Sequence, residues 1–268
     1  MRRARASIIN RIAFHPTVAV PTHGMLRFCV NALRWCRHWR TVERAGKSDG
    51  MSILPLLGSG HPSEPIVDRI LSHPGVQRVP SPKLTLFINR AFLSPDLCEG
   101  LVERIDAVRR PSTLSDPNGD ASYRTSETGD LAGTDPLVAE VEARITGLTG
   151  LDPVFGEPIQ GQRYAVGQEF KGHTDYFEPT GIDFDRYCGV AGNRTWTVMI
   201  YLNEPEAGGA TRFKSIDKIV QPEVGKLLAW NNRRPDGTLN PATLHQGMKV
   251  RSGTKYVITK WFRERPWR

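Results

Sequence analysis

Residues Thr195-Trp196-Thr197-Val198-Met199-Ile200-Tyr201-Leu202-Asn203 contain neither glycine nor proline and are dominated by β-branched and aromatic side chains. That composition, closed off by the Gly208-Gly209 turn, reads as a strand. The same texture recurs on both sides of it. Ile159–Val166, Ala210–Phe213, Lys226–Trp230, Thr243–Met248 and Lys255–Arg263 all read as strands, divided by turn signals at Pro222 to Gly225, Pro235-Asp236-Gly237 and Ser252-Gly253. Upstream the period becomes helical. Ser94-Pro95 pairs an N-cap with proline at the first helical position, and the stripe Leu97, Leu101, Ile105 and Val108 predicts a helix ending near Val108. Asp135-Pro136 opens a second helix, with Leu137, Val138, Val141, Ile145 and Leu148 on its buried side, which stops near Gly150. Leu84–Ile88 reads as a short strand and residues 111–133 as a long polar loop. Two helices followed by six or more strands predict a mostly β fold, a jelly-roll or barrel with helices flanking one sheet.

The chain has 268 residues, 39% hydrophobic and 24% charged, which suits one large domain or a domain plus an extension. It holds no apolar run of about eighteen residues, so a transmembrane segment is not expected. Four cysteines (Cys29, Cys36, Cys98 and Cys188) form no C-x-x-C pair and point to a reducing, cytoplasmic setting. The net charge of +8 is confined to residues 1–50; the remainder is electrically balanced and gives no reason to expect a nucleic-acid partner. We therefore divide the chain into a basic N-terminal extension and linker over residues 1–80, in part a candidate for disorder, and a folded domain over residues 81–268. Met25 to Val42 reads as a basic amphipathic helix. It is either a membrane-surface helix, an organellar targeting segment, or the product of a start placed too early.

Five of the seven histidines precede residue 81, which leaves the folded body with His173 and His245 alone. In an extended Gly172-His173-Thr174-Asp175 segment, His173 and Asp175 point to one face. An isolated H-x-D in a strand is more often a satisfied polar pair. With His245 on a later strand it becomes two imidazoles and one carboxylate, the facial arrangement of non-haem Fe(II) oxygenases. Lys255 opens the final strand and is followed by Tyr256-Val257-Ile258-Thr259. A lysine in so apolar a strand needs an anion, which a dicarboxylate cosubstrate would supply.

These residues fall into an ordered set of motifs. Tyr164 to Phe177, Arg194-Thr195-Trp196-Thr197 to Asn203, Gly208-Gly209-Ala210-Thr211-Arg212-Phe213, Leu244-His245-Gln246-Gly247 and Gly253-Thr254-Lys255-Tyr256 to Trp261 together resemble the prolyl 4-hydroxylase family, as does Arg124-Thr125-Ser126 upstream. The resemblance runs over about residues 82–265. It implies a double-stranded β-helix (jelly-roll) core and an Fe(II)- and 2-oxoglutarate-dependent dioxygenase that uses O2, with ascorbate as a further cofactor. It implies iron ligation by His173, Asp175 and His245, and a salt bridge from Lys255 to the distal carboxylate of 2-oxoglutarate, with Tyr164 donating to the same carboxylate. Thr211 and Met199 would line the cosubstrate pocket, a packing role being the alternative for each. Arg194, Trp261 and Tyr176 would lie near the substrate; a surface salt bridge is the alternative for Arg194 and a core position for Trp261. Ala210 departs from the family's usual glutamate.

The substrate implied is a prolyl residue in a peptide or protein. An oxygenase of the same fold acting on a free amino acid or small metabolite is the first alternative. A non-catalytic β-barrel binding protein is the alternative of a different class. The oligomeric state is not legible in the sequence.

Overall fold

The computed structural model describes residues 64–113, 122–181 and 184–267. The expected helix over Met25–Val42 and part of the expected loop over residues 111–133 lie outside the described residues. In chain order the elements are α1 (Glu64–Ser72), β1 (Val76–Arg78), β2 (Leu86–Asn89), α2 (Pro95–Val108), β3 (Arg110–Pro111), β4 (Glu127–Asp130), α3 (Pro136–Thr149), β5 (Gln160–Tyr164), β6 (Phe170–His173), α4 (Phe184–Cys188), β7 (Arg194–Tyr201), β8 (Ala207–Gly208), β9 (Thr211–Phe213), β10 (Lys218–Val220), β11 (Leu227–Asn231), β12 (His245–Gly247), β13 (Val250–Ser252) and β14 (Lys255–Arg263).

An eight-stranded antiparallel sheet has the order β1-β2-β11-β7-β14-β5-β4-β3, and a four-stranded sheet the order β10-β9-β12-β6. The mostly β architecture with flanking helices is as expected. β7 and β14 at the centre of the larger sheet pair in register from Val257↔Tyr201 to Phe262↔Trp196. All nine residues of β14 are buried, because both faces are covered. Alternation sorts the side chains. Trp196, Val198 and Ile200 join Tyr256, Ile258 and Phe262 in a core shared with helical residues such as Leu101, Ile105, Val141 and Ile145. Met199, Tyr201 and Val257 turn to the other side, into a second core with Phe213, Leu228 and Trp230.

The helices begin where the sequence predicts. Asp135 caps α3 through bonds from the Leu137 and Val138 amides, and Gly150 closes it in the left-handed region at φ 69°. Ser94 occupies the N-cap position of α2 but makes no side-chain cap bond. Instead, its carbonyl accepts from the Cys98 amide at 3.1 Å.

Three expectations are corrected. Residues 64–80, read as extension and linker, join the fold: Ile70 of α1 is fully buried and β1 pairs with β2. The flanking prolines gave that stretch the look of a linker, but Ile66, Val67 and Ile70 form a helical stripe against the core. The polar loop over residues 111–133 contains β4, which hydrogen-bonds to β5. Its period is hidden because Gly129 sits opposite Gly161, and a Cβ on Gly161 would come within 2.3 Å of Ile105. The paired glycines let α2 approach the sheet. Finally, the strand expected over Thr243–Met248 shortens to His245–Gly247, since Asn240 accepts from the Ala242 amide and winds Pro241–Thr243 into a 3-10 turn.

Ile70→Ala removes a fully buried side chain and is expected to lower unfolding free energy by about 2–5 kcal/mol in denaturant titration. A chain begun at Ser81 is expected to melt below one begun at Met51. Equal midpoints would show that α1 and β1 are not part of the folded unit.

Candidate active site

β6 and β12 are neighbours in the smaller sheet, and their register sets His173 directly opposite His245. The two imidazole centroids are 4.3 Å apart. Asp175, two residues beyond His173, turns to the same side. One donor atom from each of His173, Asp175 and His245 lies within 4.8 Å of the others. The spacing expected from the sequence is therefore realised in space.

Both rings are aimed by carbonyls two residues back along the chain. His173 Nδ1 lies 2.9 Å from the Lys171 carbonyl, and His245 Nδ1 lies 2.9 Å from the Thr243 carbonyl. Each Nδ1–H donates to its carbonyl, which leaves the Nε2 lone pair facing the cluster. Phe170 stacks on His173 with centroids 3.5 Å apart and planes 15° from parallel. Thr197 Oγ1 donates to Asp175 Oδ2 at 2.7 Å and accepts from Asn232 Nδ2 at 2.9 Å. Burial pushes the Asp175 carboxyl up, but His245, His173, Arg194 and the Thr197 bond outweigh it and hold it below the usual carboxylate range. Burial and the neighbouring His245 lower His173 to about 3, so its ring is neutral and ready to ligate at physiological pH. Two imidazole nitrogens and one carboxylate converging on one point fit a divalent metal held on one face.

A cavity extends from this cluster between the two sheets. Alternation puts Lys255, Val257, Thr259 and Trp261 of β14 along its wall, with Met199, Thr211 and Trp230 from β7, β9 and β11. Lys255 is the cationic residue of that wall. It is 2% exposed, and no carboxylate lies within ion-pair distance of its Nζ among the described residues. Its ammonium stands 4.9 Å from the Tyr164 ring and 5.3 Å from the Tyr201 ring. Burial lowers its pKa to about 7. An unpaired amine in the wall of a cavity that also holds a metal cluster is a receptor for an anionic group.

The other expected residues divide. Tyr164 is the register partner of Lys255, and its hydroxyl donates to Gln162 Oε1 at 3.0 Å. Thr211 lines the cavity with its Oγ1 2.6 Å from the Tyr201 hydroxyl. Arg194 is half-buried, with its side chain 16% exposed: Nε and Nη2 grip Glu157 at 2.6 and 2.8 Å, Nη1 donates to the Asp175 carbonyl at 3.3 Å, and the guanidinium lies 3.8 Å over Trp261. Arg263 shares the same carboxylate at 2.6 Å. Trp261 forms part of the cavity wall, and its buried Nε1 has no hydrogen-bond partner among the described residues. Tyr176 is buried but is not among the cavity-lining side chains.

Sequence reasoning assigned no role to Thr197, Asn232, Glu157, Phe170 or Gly247. Thr197 and Gly247 were within reach, since each is two residues from an assigned residue on the same strand. Glu157 and Asn232 act through side chains that reach across the fold, which local patterning does not report.

Thr197→Val is expected to weaken divalent-metal binding about 10–100-fold with the fold retained, read by manganese(II) competition titration. Unchanged affinity would show that Asp175 is held otherwise. In the metal-free chain, His173 near 3 lies below its ordinary value of 6.5. Between those values the unfolded chain binds a proton that the folded chain does not, so stability is expected to fall as pH drops from 6.5 towards 3. His173→Gln should flatten that slope in pH-dependent melting.

Residues 159–263 match the model of the 2OG-Fe(II) oxygenase superfamily. The chain is 33% identical over 173 residues to prolyl 4-hydroxylase subunit alpha-1 of Gallus gallus, covering 61% of this chain and 33% of that protein. It thus spans about a third of the length of such alpha subunits. It is 31% identical over 207 residues to probable prolyl 4-hydroxylase 10 of Arabidopsis thaliana, covering 68% of this chain and 69% of that one. The viral collagen prolyl hydroxylase of Paramecium Bursaria Chlorella virus-1 shares the fold, with a TM-score of 0.53 at 23% identity over 66% of this chain and 95% of that one. The metal-ready cluster, the unpaired lysine and these similarities agree: the chain belongs to the prolyl 4-hydroxylase family of 2-oxoglutarate- and Fe(II)-dependent oxygenases.

Proposed function

We propose that this chain is a dioxygenase that hydroxylates prolyl residues of a peptide or protein. The observation that carries this reading is the placement of His173, Asp175 and His245 in one cavity with the Lys255 ammonium, which has no ion-pair partner among the described residues. The donor set fits Fe(II), and Lys255 fits the distal carboxylate of 2-oxoglutarate. When bound, Fe(II) with 2-oxoglutarate and O2 supplies oxidation: one oxygen atom goes into succinate with release of CO2, and the other is inserted into a C–H bond.

The chain's own residues bind, aim and exclude water. The carbonyls of Lys171 and Thr243 fix the imidazoles, and Thr197 fixes Asp175. Val257, Met199 and Trp230 present apolar surface between the metal cluster and Lys255, which keeps bulk water from the reacting groups. The Arg194–Trp261 pair makes a flat, rigid wall beside Asp175 against which a substrate ring can rest. That wall and the relatives' names favour a prolyl side chain over a free polar amino acid.

Incubating the chain with Fe(II), 2-oxoglutarate and a panel of proline-containing peptides is expected to add one oxygen mass to at least one peptide. His245→Ala should abolish that gain. Gain on free amino acids alone would favour the small-molecule reading. Lys255→Ala removes a charge-assisted bond worth roughly 1.5–3 kcal/mol and is expected to raise the Kd for 2-oxoglutarate about tenfold to a hundredfold while metal binding survives. Because Lys255 has a pKa of about 7 without ligand, carboxylate binding above that pH takes up a proton. The Kd should therefore climb as pH rises beyond 7 in the parent and stay level in Lys255→Ala.

A further inference from the structure

Thr197 holds Asp175 through a hydroxyl that has one proton to give. Its Oγ1 lies 2.7 Å from Asp175 Oδ2 and 2.9 Å from Asn232 Nδ2. An amide nitrogen can only donate. Asn232 therefore occupies a lone pair of the hydroxyl, and the hydroxyl proton is left to Asp175. Turned over, the same amide would offer Oδ1, which would take that proton and leave the carboxylate without its donor. No other side chain donates a hydrogen bond to the Asp175 carboxylate among the described residues. With Oδ2 engaged, Oδ1 stands on the side of the imidazoles, 3.9 Å from His173 Nε2.

The fold does not otherwise ask for an amide at this place. Asn232 is fully buried, and its Oδ1 has no hydrogen-bond partner among the described residues. The bond to Thr197 is thus the one its side chain makes there. Its backbone is held separately: the N–H donates to the Thr195 carbonyl at 2.8 Å, and the carbonyl accepts from the Asn240 amide at 2.9 Å. Nor is Asn232 in the left-handed region, where asparagine is favoured. A buried carbonyl oxygen without a donor costs stability, and an apolar side chain of similar size would avoid that cost. A side chain that weakens the fold and bonds only to the hydroxyl beside a metal ligand has its reason in that ligand.

We propose that Asn232 is a positioning residue for the metal centre: it sets the direction of the Thr197 hydroxyl, and so the rotation at which Asp175 presents Oδ1 to the ion. It acts through Thr197 and is not itself one of the donors. This rests on the metal site described above and adds the residue that orders it.

The full metal-free chain is titrated with manganese(II), and its melting midpoint without metal is measured alongside. The parent is compared with Asn232→Leu, Asn232→Ala, Thr197→Val and the Thr197→Val/Asn232→Leu double variant. Asn232→Leu is expected to weaken manganese(II) binding about tenfold while the metal-free midpoint holds or rises. A merely structural role would move the midpoint and leave the affinity. The double variant is expected to bind no more weakly than Thr197→Val, because the hydroxyl through which Asn232 acts is already gone. Asn232→Ala adds no bulk to the site and is expected to show the same loss of affinity. Parent affinity in either folded Asn232 variant overturns the proposal, and so do losses that multiply in the double variant. A parent that binds no manganese(II) rejects the metal site itself, and the proposal with it.

Discussion

The structure depends on covering the β7–β14 strand pair from both sides. Each strand must pack a largely apolar face on α2 and α3, with Lys260 paired to Glu142 of α3, and be chemically specific towards the smaller sheet. Side-chain alternation satisfies both demands with one stretch of backbone. On β14, Tyr256, Ile258 and Phe262 anchor the helical layer, while Lys255, Val257, Thr259 and Trp261 make a wall of the cavity. A slip of one residue would exchange the two sets, turning Lys255 out of the cavity and phenylalanine into it. The register that stabilises the fold is thus the same register that assembles the site.

Electrostatics reinforce this division. Glu157, Arg194 and Arg263 form a buried cluster in which two guanidiniums share one carboxylate. Burial alone would raise the Glu157 pKa, but the two arginines outweigh it and hold it below the usual range. The cluster holds two positive charges against one negative, and the remaining guanidinium N–H groups donate to backbone carbonyls, from Arg194 to Asp175 and from Arg263 to Tyr187 and Gly192. Lys255 is its opposite: it is equally secluded and without any such partner among the described residues. The contrast separates a charged network that braces the wall from a charge that awaits a ligand.

Much of this was legible in the sequence, and the limits have physical causes. The metal cluster was readable because only two histidines remain in the body, and an H-x-D in extended backbone has one possible geometry. Lys255 stood out because a lysine contradicts the apolarity of its strand. β4 was missed because its central position is a glycine, and a strand that yields space to Ile105 has no side chain to report its period. α1 was missed because nine residues between prolines carry too few turns for a clear stripe. Arg194 was expected near the substrate, with a surface salt bridge as the alternative, and the fold holds it between Glu157 and Trp261. Its partner is thirty-seven residues away in sequence, a distance over which periodicity carries no information.

The bonds from each imidazole to a carbonyl two residues back along the chain bear on how the ion is acquired. Such a contact needs only the local backbone, extended before His173 and leaving a 3-10 turn before His245, without waiting for the opposite sheet. Two of the three donors are thus oriented by short-range geometry, and the remaining requirement is that the strands meet. Metal uptake in the folded chain then has little ligand reorganisation to wait for. Its rate is set by the passage of a hydrated cation along the cavity and the stripping of its water, so loading is a question of access and not of refolding.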